Sequence, residues 1–208
     1  MLILSTQGNI LLNGENIKNI SKNSYYTLFA PVFQDYNIYA YTIKDNIGFG
    51  REDKQPFLSR LIESFFNKEE QNKIVPIMES FMTKEYSESG VDLSGGEYQK
   101  IAVMRALYKD SAIIVLDEPS SSFSPKSEEK LYKYVRENTK DKTVLFISHR
   151  LASCKFCDEI LVINDGVLVE QGNHYDLMTM KGIYYNMFNI QKNIYNKENK
   201  MNEEKLNK

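Results

Sequence analysis

Two acids, Asp117 and Glu118, follow the continuous apolar run Ile113-Ile114-Val115-Leu116 and precede Pro119. Such a run predicts a parallel strand buried on both sheet faces. The carboxyl end of such a strand faces the ligand crevice of an open α/β sheet. One carboxylate there can hold Mg²⁺ while its neighbour activates an attacking water; the alternative is an ordinary acidic turn. Upstream, Ser94-Gly95-Gly96 opens a stretch with helical spacing. Its glycines would let backbone N–H groups approach a phosphate at a helix N-terminus, or the serine is a plain N-cap. His149 follows a second apolar run, 144–147. A neutral imidazole there can contact a γ-phosphate or orient water, or it is a solvated or capping loop residue. Gln34, after Val32-Phe33, carries an amide that can ligate Mg²⁺ or position water, and it can equally be a plain exposed side chain.

These residues need a scaffold. The two apolar runs are separated by Leu131, Tyr134, Val135 and Asn138 at helical spacing, which predicts a βαβ unit and a parallel sheet. Residues 94–108 form a predicted helix with Ile101, Met104 and Leu107 or Tyr108 on one face. Another strand is expected near 28–33. Residues 8–14 read as a strand entering an Asn13-Gly14 turn. Residues 51–88 are richer in charge, with Leu58, Leu61, Ile62 and Phe65 at helical spacing, and predict a helical insertion. Asn164-Asp165-Gly166 joins two further strands as a hairpin, 159–163 and 167–170. Beyond Lys192 the chain is mostly Asn, Lys and Glu with few apolar residues, expected to be a fraying helix end or a disordered tail.

The order of these segments resembles the nucleotide-binding domain of ATP-binding cassette (ABC) transporters, exporter type, over roughly residues 5–191. Val32-Phe33-Gln34-Asp35 looks like the Q-loop, Leu93-Ser94-Gly95-Gly96-Glu97 is similar to the signature motif, Ile113–Pro119 matches the Walker B strand, and Ile147-Ser148-His149-Arg150-Leu151 looks like the H-loop. Thr42–Ile47, Glu88-Ser89-Gly90, the stretch Gly166–His174 and Gly182-Ile183-Tyr184 also follow the exporter pattern. The resemblance implies an α/β, P-loop NTPase-like parallel sheet flanked by helices, with a helical subdomain at about 51–110 inside an ATP-binding domain of residues 1–191 and a polar tail at 192–208. It implies ATP and Mg²⁺ as ligands. It also gives roles to residues: Glu118 as base, His149 as γ-phosphate sensor, Asp117 and Gln34 on Mg²⁺ and water. Ser94, Gly95 and Gly96 would act on nucleotide held by a second cassette, and Glu88 would lie at the contact with a transmembrane domain. The expected location is the cytoplasmic face of a membrane, reached through that domain.

The departures from the family pattern are as telling. Gly-x4-Gly-Lys-Ser/Thr is absent from the sequence; Gly90-x4-Gly95 matches the glycine spacing alone, with Gly96-Glu97 where Lys-Ser/Thr would stand, and Gly48-Phe49-Gly50 is followed by Arg51-Glu52-Asp53. The family places that loop roughly ten residues upstream of Met1, so the expectation is a sheet missing its early strands and a chain that binds ATP very weakly. Charge-assisted bonds to phosphate contribute about 1.5–3 kcal/mol each. Ser124 stands where the family has an aspartate, yet Ser124-Pro125 still serves as N-cap and first helical residue. Tyr98 replaces a basic or polar residue of the signature helix. Cys154 and Cys157 spell Cys-x-x-Cys, but without a second pair to complete a zinc site the expectation is two core thiols.

Composition narrows the field. The 208 residues are 42% hydrophobic with a formal net charge of −2, enough for one domain with a core and no basic surplus for nucleic acid. No stretch approaches the roughly 18–20 apolar residues of a membrane span. Met1-Leu2-Ile3-Leu4 lacks the basic lead of a signal peptide.

Overall fold

The computed structural model describes residues 6–49, 54–84 and 88–206, with residues 195–206 as backbone only. Met1-Leu2-Ile3-Leu4, residues 50–53 and residues 85–87 fall outside the described part. The chain divides into two compact units, residues 1–127 with 137–147, and residues 128–136 with 148–208.

In the first unit, the Asn13-Gly14 turn closes a two-residue hairpin of β1 (Leu11–Leu12) and β2 (Glu15–Asn16). Both turn residues have positive φ, 50° and 85°, the conformation that favours Asn-Gly in such turns. Helix α1 (Lys22–Thr27), capped by Ser21, leads into β3 (Phe29–Val32), and α2 (Ile43–Gly48) follows with Thr42 as its cap. The helical insertion is α3 (Gln55–Phe65) and α4 (Lys68–Ile74). Leu58, Leu61, Ile62 and Phe65 of α3 are all buried, as their spacing requires.

Helix α5 (Gly95–Lys109) lies across β3 and β4 (Ile113–Asp117). Helix α6 (Pro125–Asn138) then joins β4 to β5 (Thr143–Ile147). The sheet is parallel in the order β3-β4-β5, with Val32 opposite Leu116 and Asp117 opposite Ile147.

The structure corrects one expectation about this sheet. Ala30, Val32, Ile114 and Leu116 share a face and are at most 3% exposed. The opposite face stays partly open, with Leu145 at 49% and Ile147 at 55%. The reason is that α5 packs on one side of β3 and β4 only, so the 113–116 run is buried on one face rather than two, and on β5 the run 144–147 is at most half-buried. On α6 the buried residues are Leu131, Tyr132 and Val135; Tyr132 takes the place expected for Tyr134 and Asn138.

The second unit holds the hairpin β6 (Ile160–Asn164) and β7 (Val167–Gly172), followed by α7 (His174–Met180) and α8 (Ile183–Leu206). Its small core is Leu151, Ile160, Leu177 and Tyr184, with Cys154 and Cys157 packed against it. Burial pushes both thiols up, Cys157 to about 11, so the pair stays protonated at neutral pH and packs as small apolar groups. The Glu170 carboxylate caps α8, accepting from the N–H groups of Ile183 at 2.5 Å and Tyr184 at 2.9 Å. The backbone is helical through Leu206, so the polar C-terminal segment extends α8.

Candidate nucleotide site

The carboxyl ends of β3 and β4 lie side by side. Asp117 closes β4, and Gln34 stands two residues past Val32, the β3 residue paired with Leu116. Both expected Mg²⁺ residues therefore emerge at one edge of the sheet. Glu118 continues the ladder through its N–H, which donates to the Ile147 carbonyl at 2.9 Å. Its φ is +47°. A non-glycine residue in this left-handed region costs about 1–2 kcal/mol, so the surrounding contacts must hold it there.

Gln99, 1% exposed on α5, makes those contacts. Its Nε2 donates to the Glu118 carbonyl at 3.0 Å and to Ser121 Oγ at 2.9 Å, and its Oε1 accepts from the Ser122 N–H at 2.8 Å. The loop that follows the two acids is thus fastened to the signature helix by one side chain. A Cβ at Gly96 would meet the Ser122 carbonyl at 3.1 Å, so that glycine permits the close approach. Gln99 is a site residue that the motif reading missed. Its signal was a lone amide sharing the helix face of Val103 and Ala106, which are both buried.

The helix start is strongly organised. Ser94 caps α5 in a capping box, its Oγ accepting from the Glu97 N–H at 3.3 Å while Glu97 Oε2 accepts from the Ser94 N–H at 2.7 Å. Glu97 also pairs with Lys73 of α4 at 2.9 Å. Burial raises the Glu97 carboxyl, but the Lys73 and Ser94 hydrogen bonds outweigh burial and hold it below the usual carboxylate range. Ser94 and Gly95 are exposed. The Gly95 and Gly96 N–H groups have no partner among the described residues, which leaves two donors at the positive end of a 15-residue helix. That is the chemistry of an anion site.

Further along α5, Arg105 binds the segment that follows Gln34. Its guanidinium donates to the Asn46 carbonyl at 2.6 Å, Asn46 Oδ1 at 2.8 Å and the Asn37 carbonyl at 2.8 Å. It also stacks on Tyr39, 4.6 Å from the ring centre. Asn46, fully buried, donates to the carbonyls of Tyr39, Tyr41 and Thr42. The Thr42–Ile47 motif is therefore a polar clamp on residues 37–42. His149 belongs to the second unit, two residues beyond β5. Its carbonyl accepts from the Gln191 amide, and Gln191 Oε1 accepts from the Leu151 N–H at 2.9 Å. Glu88 sits in an exposed turn of the first unit.

A parallel sheet with acids at its carboxyl edge, flanked by a helix that starts on two glycine N–H donors, matches the P-loop NTPase-like fold of a nucleotide-binding domain. The ABC transporter family profile matches residues 1–121, and the chain belongs to the ABC transporter family, as a nucleotide-binding domain of exporter type. It is 38% identical over 185 residues to ABC transporter B family member 6 of Dictyostelium discoideum, covering 89% of this chain and 27% of that one. It is 33% identical to the ATP-dependent lipid A-core flippase of Escherichia coli (strain K12), covering 89% of this chain and 31% of the flippase. Among solved structures, a bacterial Atm1-family ABC exporter with ATP bound superposes with a TM-score of 0.79 at 27% identity, over 90% of this chain and 32% of that one. The chain thus spans about a third of the length of these relatives. No helix among the described residues is long and apolar enough to cross a membrane.

Proposed function

We propose that this cassette couples ATP binding and hydrolysis to transport by a transmembrane domain, working in a dimer with a second cassette. Ser94, Gly95 and Gly96 face nucleotide held by that second cassette. Asp117 and Gln34 hold Mg²⁺ and water, Glu118 is the base that activates water, and His149 contacts the γ-phosphate. Glu88 meets the transmembrane domain, which keeps the cassette at the cytoplasmic face of the membrane. The observation that carries this reading is the pair of N–H donors of Gly95 and Gly96 at the exposed start of α5. ATP and Mg²⁺ suit the residues present: a phosphate matches the two N–H donors, and a hard cation matches the Asp117 carboxylate and the Gln34 amide.

A second reading, that the 208-residue chain supplies its signature helix without hydrolysing nucleotide itself, is favoured by the absence of Gly-x4-Gly-Lys-Ser/Thr from its sequence. One experiment separates the two. ATP hydrolysis is measured for the chain alone and for the chain mixed with an exporter cassette that carries the phosphate loop but has its own signature serine changed to arginine. Activity in the mixture that is lost on Ser94→Arg in this chain supports the action on the partner's nucleotide. Activity of the chain alone excludes the second reading, and no activity in either case refutes both.

A further inference from the structure

Two tyrosines that the motif roles leave unused converge on the signature turn. Tyr36, two residues beyond Gln34, donates its phenolic O–H to the Gly95 carbonyl at 3.1 Å. Tyr98, inside α5, accepts the Leu93 N–H on its phenolic oxygen at 3.2 Å. Glu97 holds the Ser94 N–H between them. Three consecutive residues, Leu93, Ser94 and Gly95, are thus each gripped through a backbone group by a different side chain. Burial, and next to it Tyr98, push the Tyr36 phenol above its ordinary value, so it remains a donor.

Such grip has a physical purpose. Two adjacent glycines at a helix start are the loosest backbone a chain can place there, and fixing one residue costs roughly 1–2 kcal/mol of entropy. An anion site of two N–H groups works only when both point the same way. We propose that Tyr36 and Tyr98 are positioning residues that hold the turn so that the Gly95 and Gly96 N–H groups converge on a phosphate, with Tyr36 also tying that turn to the Gln34 segment. The proposal rests on the signature role given above. It adds a consequence: in a sandwich dimer Gln34 serves the chain's own nucleotide and the signature serves the partner's, so the Tyr36 hydrogen bond joins two nucleotide sites through a single chain.

The test uses Tyr36→Phe and Tyr98→Phe, each removing one oxygen. The 208-residue variants are mixed with the signature-disabled cassette, and hydrolysis is followed against ATP concentration, with urea denaturation of each variant alongside. The expected result is a KM for ATP raised roughly 3- to 10-fold, kcat changed by less than about two-fold, and a nearly unchanged denaturation midpoint. A merely structural tyrosine would shift the midpoint and leave KM alone. Wild-type KM in both variants overturns the proposal. If the wild-type mixture shows no hydrolysis, the signature role itself has failed, and amide exchange on the chain alone decides about the grip. A Leu93 amide that exchanges several-fold faster in Tyr98→Phe upholds it, and an unchanged rate overturns it.

Discussion

Replacing Gln99 by leucine should loosen the loop behind the two acids without emptying the core. The amide makes three hydrogen bonds, to the Glu118 carbonyl, Ser121 Oγ and the Ser122 N–H. At about 1 kcal/mol each, their loss would come to about 3 kcal/mol. Ser121 and Ser122 are exposed, so their polar groups rehydrate once the amide is gone. The Glu118 carbonyl loses its Gln99 donor beside a residue held at φ +47°. The expected destabilisation is therefore about 2 kcal/mol. The chain has 14 tyrosines and no tryptophan, so equilibrium urea denaturation followed by tyrosine fluorescence reads it. Amide exchange should quicken over residues 118–123 and stay unchanged in α3. Gln99→Glu should cost more, because a carboxylate oxygen would then face the Glu118 carbonyl at the 3.0 Å now spanned by a donor. A loss below about 0.5 kcal/mol for the leucine variant, with wild-type exchange at Ser122, would refute the argument, because solvent would then be holding the loop.

Glu118→Gly removes the left-handed strain and should stabilise the chain by about 1 kcal/mol while abolishing any hydrolysis that depends on the base; a loss of stability would show that the carboxylate has a structural role. Glu97 has a folded-state value below its ordinary 4.5, so its contribution is complete above that pH and is lost as pH falls through the lower value. Glu97→Gln should accordingly flatten the stability profile below pH 4.5, and an unchanged acid slope on denaturant titration would count against the Lys73 pairing. At Gly182 a Cβ would lie 2.9 Å from Glu170 Cδ and collide with its carboxylate. Gly182→Ala should push the Glu170 carboxylate off the start of α8 and destabilise the second unit by about 0.5–2 kcal/mol, the cost of a lost cap, seen as earlier proteolysis after residue 172; proteolysis at the wild-type rate would contradict it.

Much of this molecule is written in local pattern. The apolar runs 113–116 and 144–147 became paired parallel strands because β-branched and aliphatic residues flanked by turns fit a pleated sheet. Ser94 and Ser124 start helices because a side-chain oxygen there satisfies an orphan N–H, and Asn13-Gly14 turns because both residues tolerate positive φ. The position of the acids at the end of one run was legible for the same reason, since strand direction alone sends them to the carboxyl edge of the sheet. Residues whose importance comes from partners distant in sequence were not legible. Gln99 meets residues 118–122, Arg105 reaches back to Asn37 and Asn46, and Tyr36 grips Gly95. No periodicity marks a hydrogen bond spanning 59 residues.

The sheet faces divide in the same way. The apolar content of β4 and β5 set them as strands. Whether their outer face is covered depended on which helix packs there, and α5 took only the side of Ile114 and Leu116. The sequence by itself determined the elements, their order, the caps and the chemistry offered at the strand ends. Tertiary structure alone decided how that chemistry is held: the strained Glu118 backbone, its fastening through Gln99, and the glycine turn gripped by two tyrosines. Local preferences act over a few residues, and these constraints exist only once distant segments are packed together.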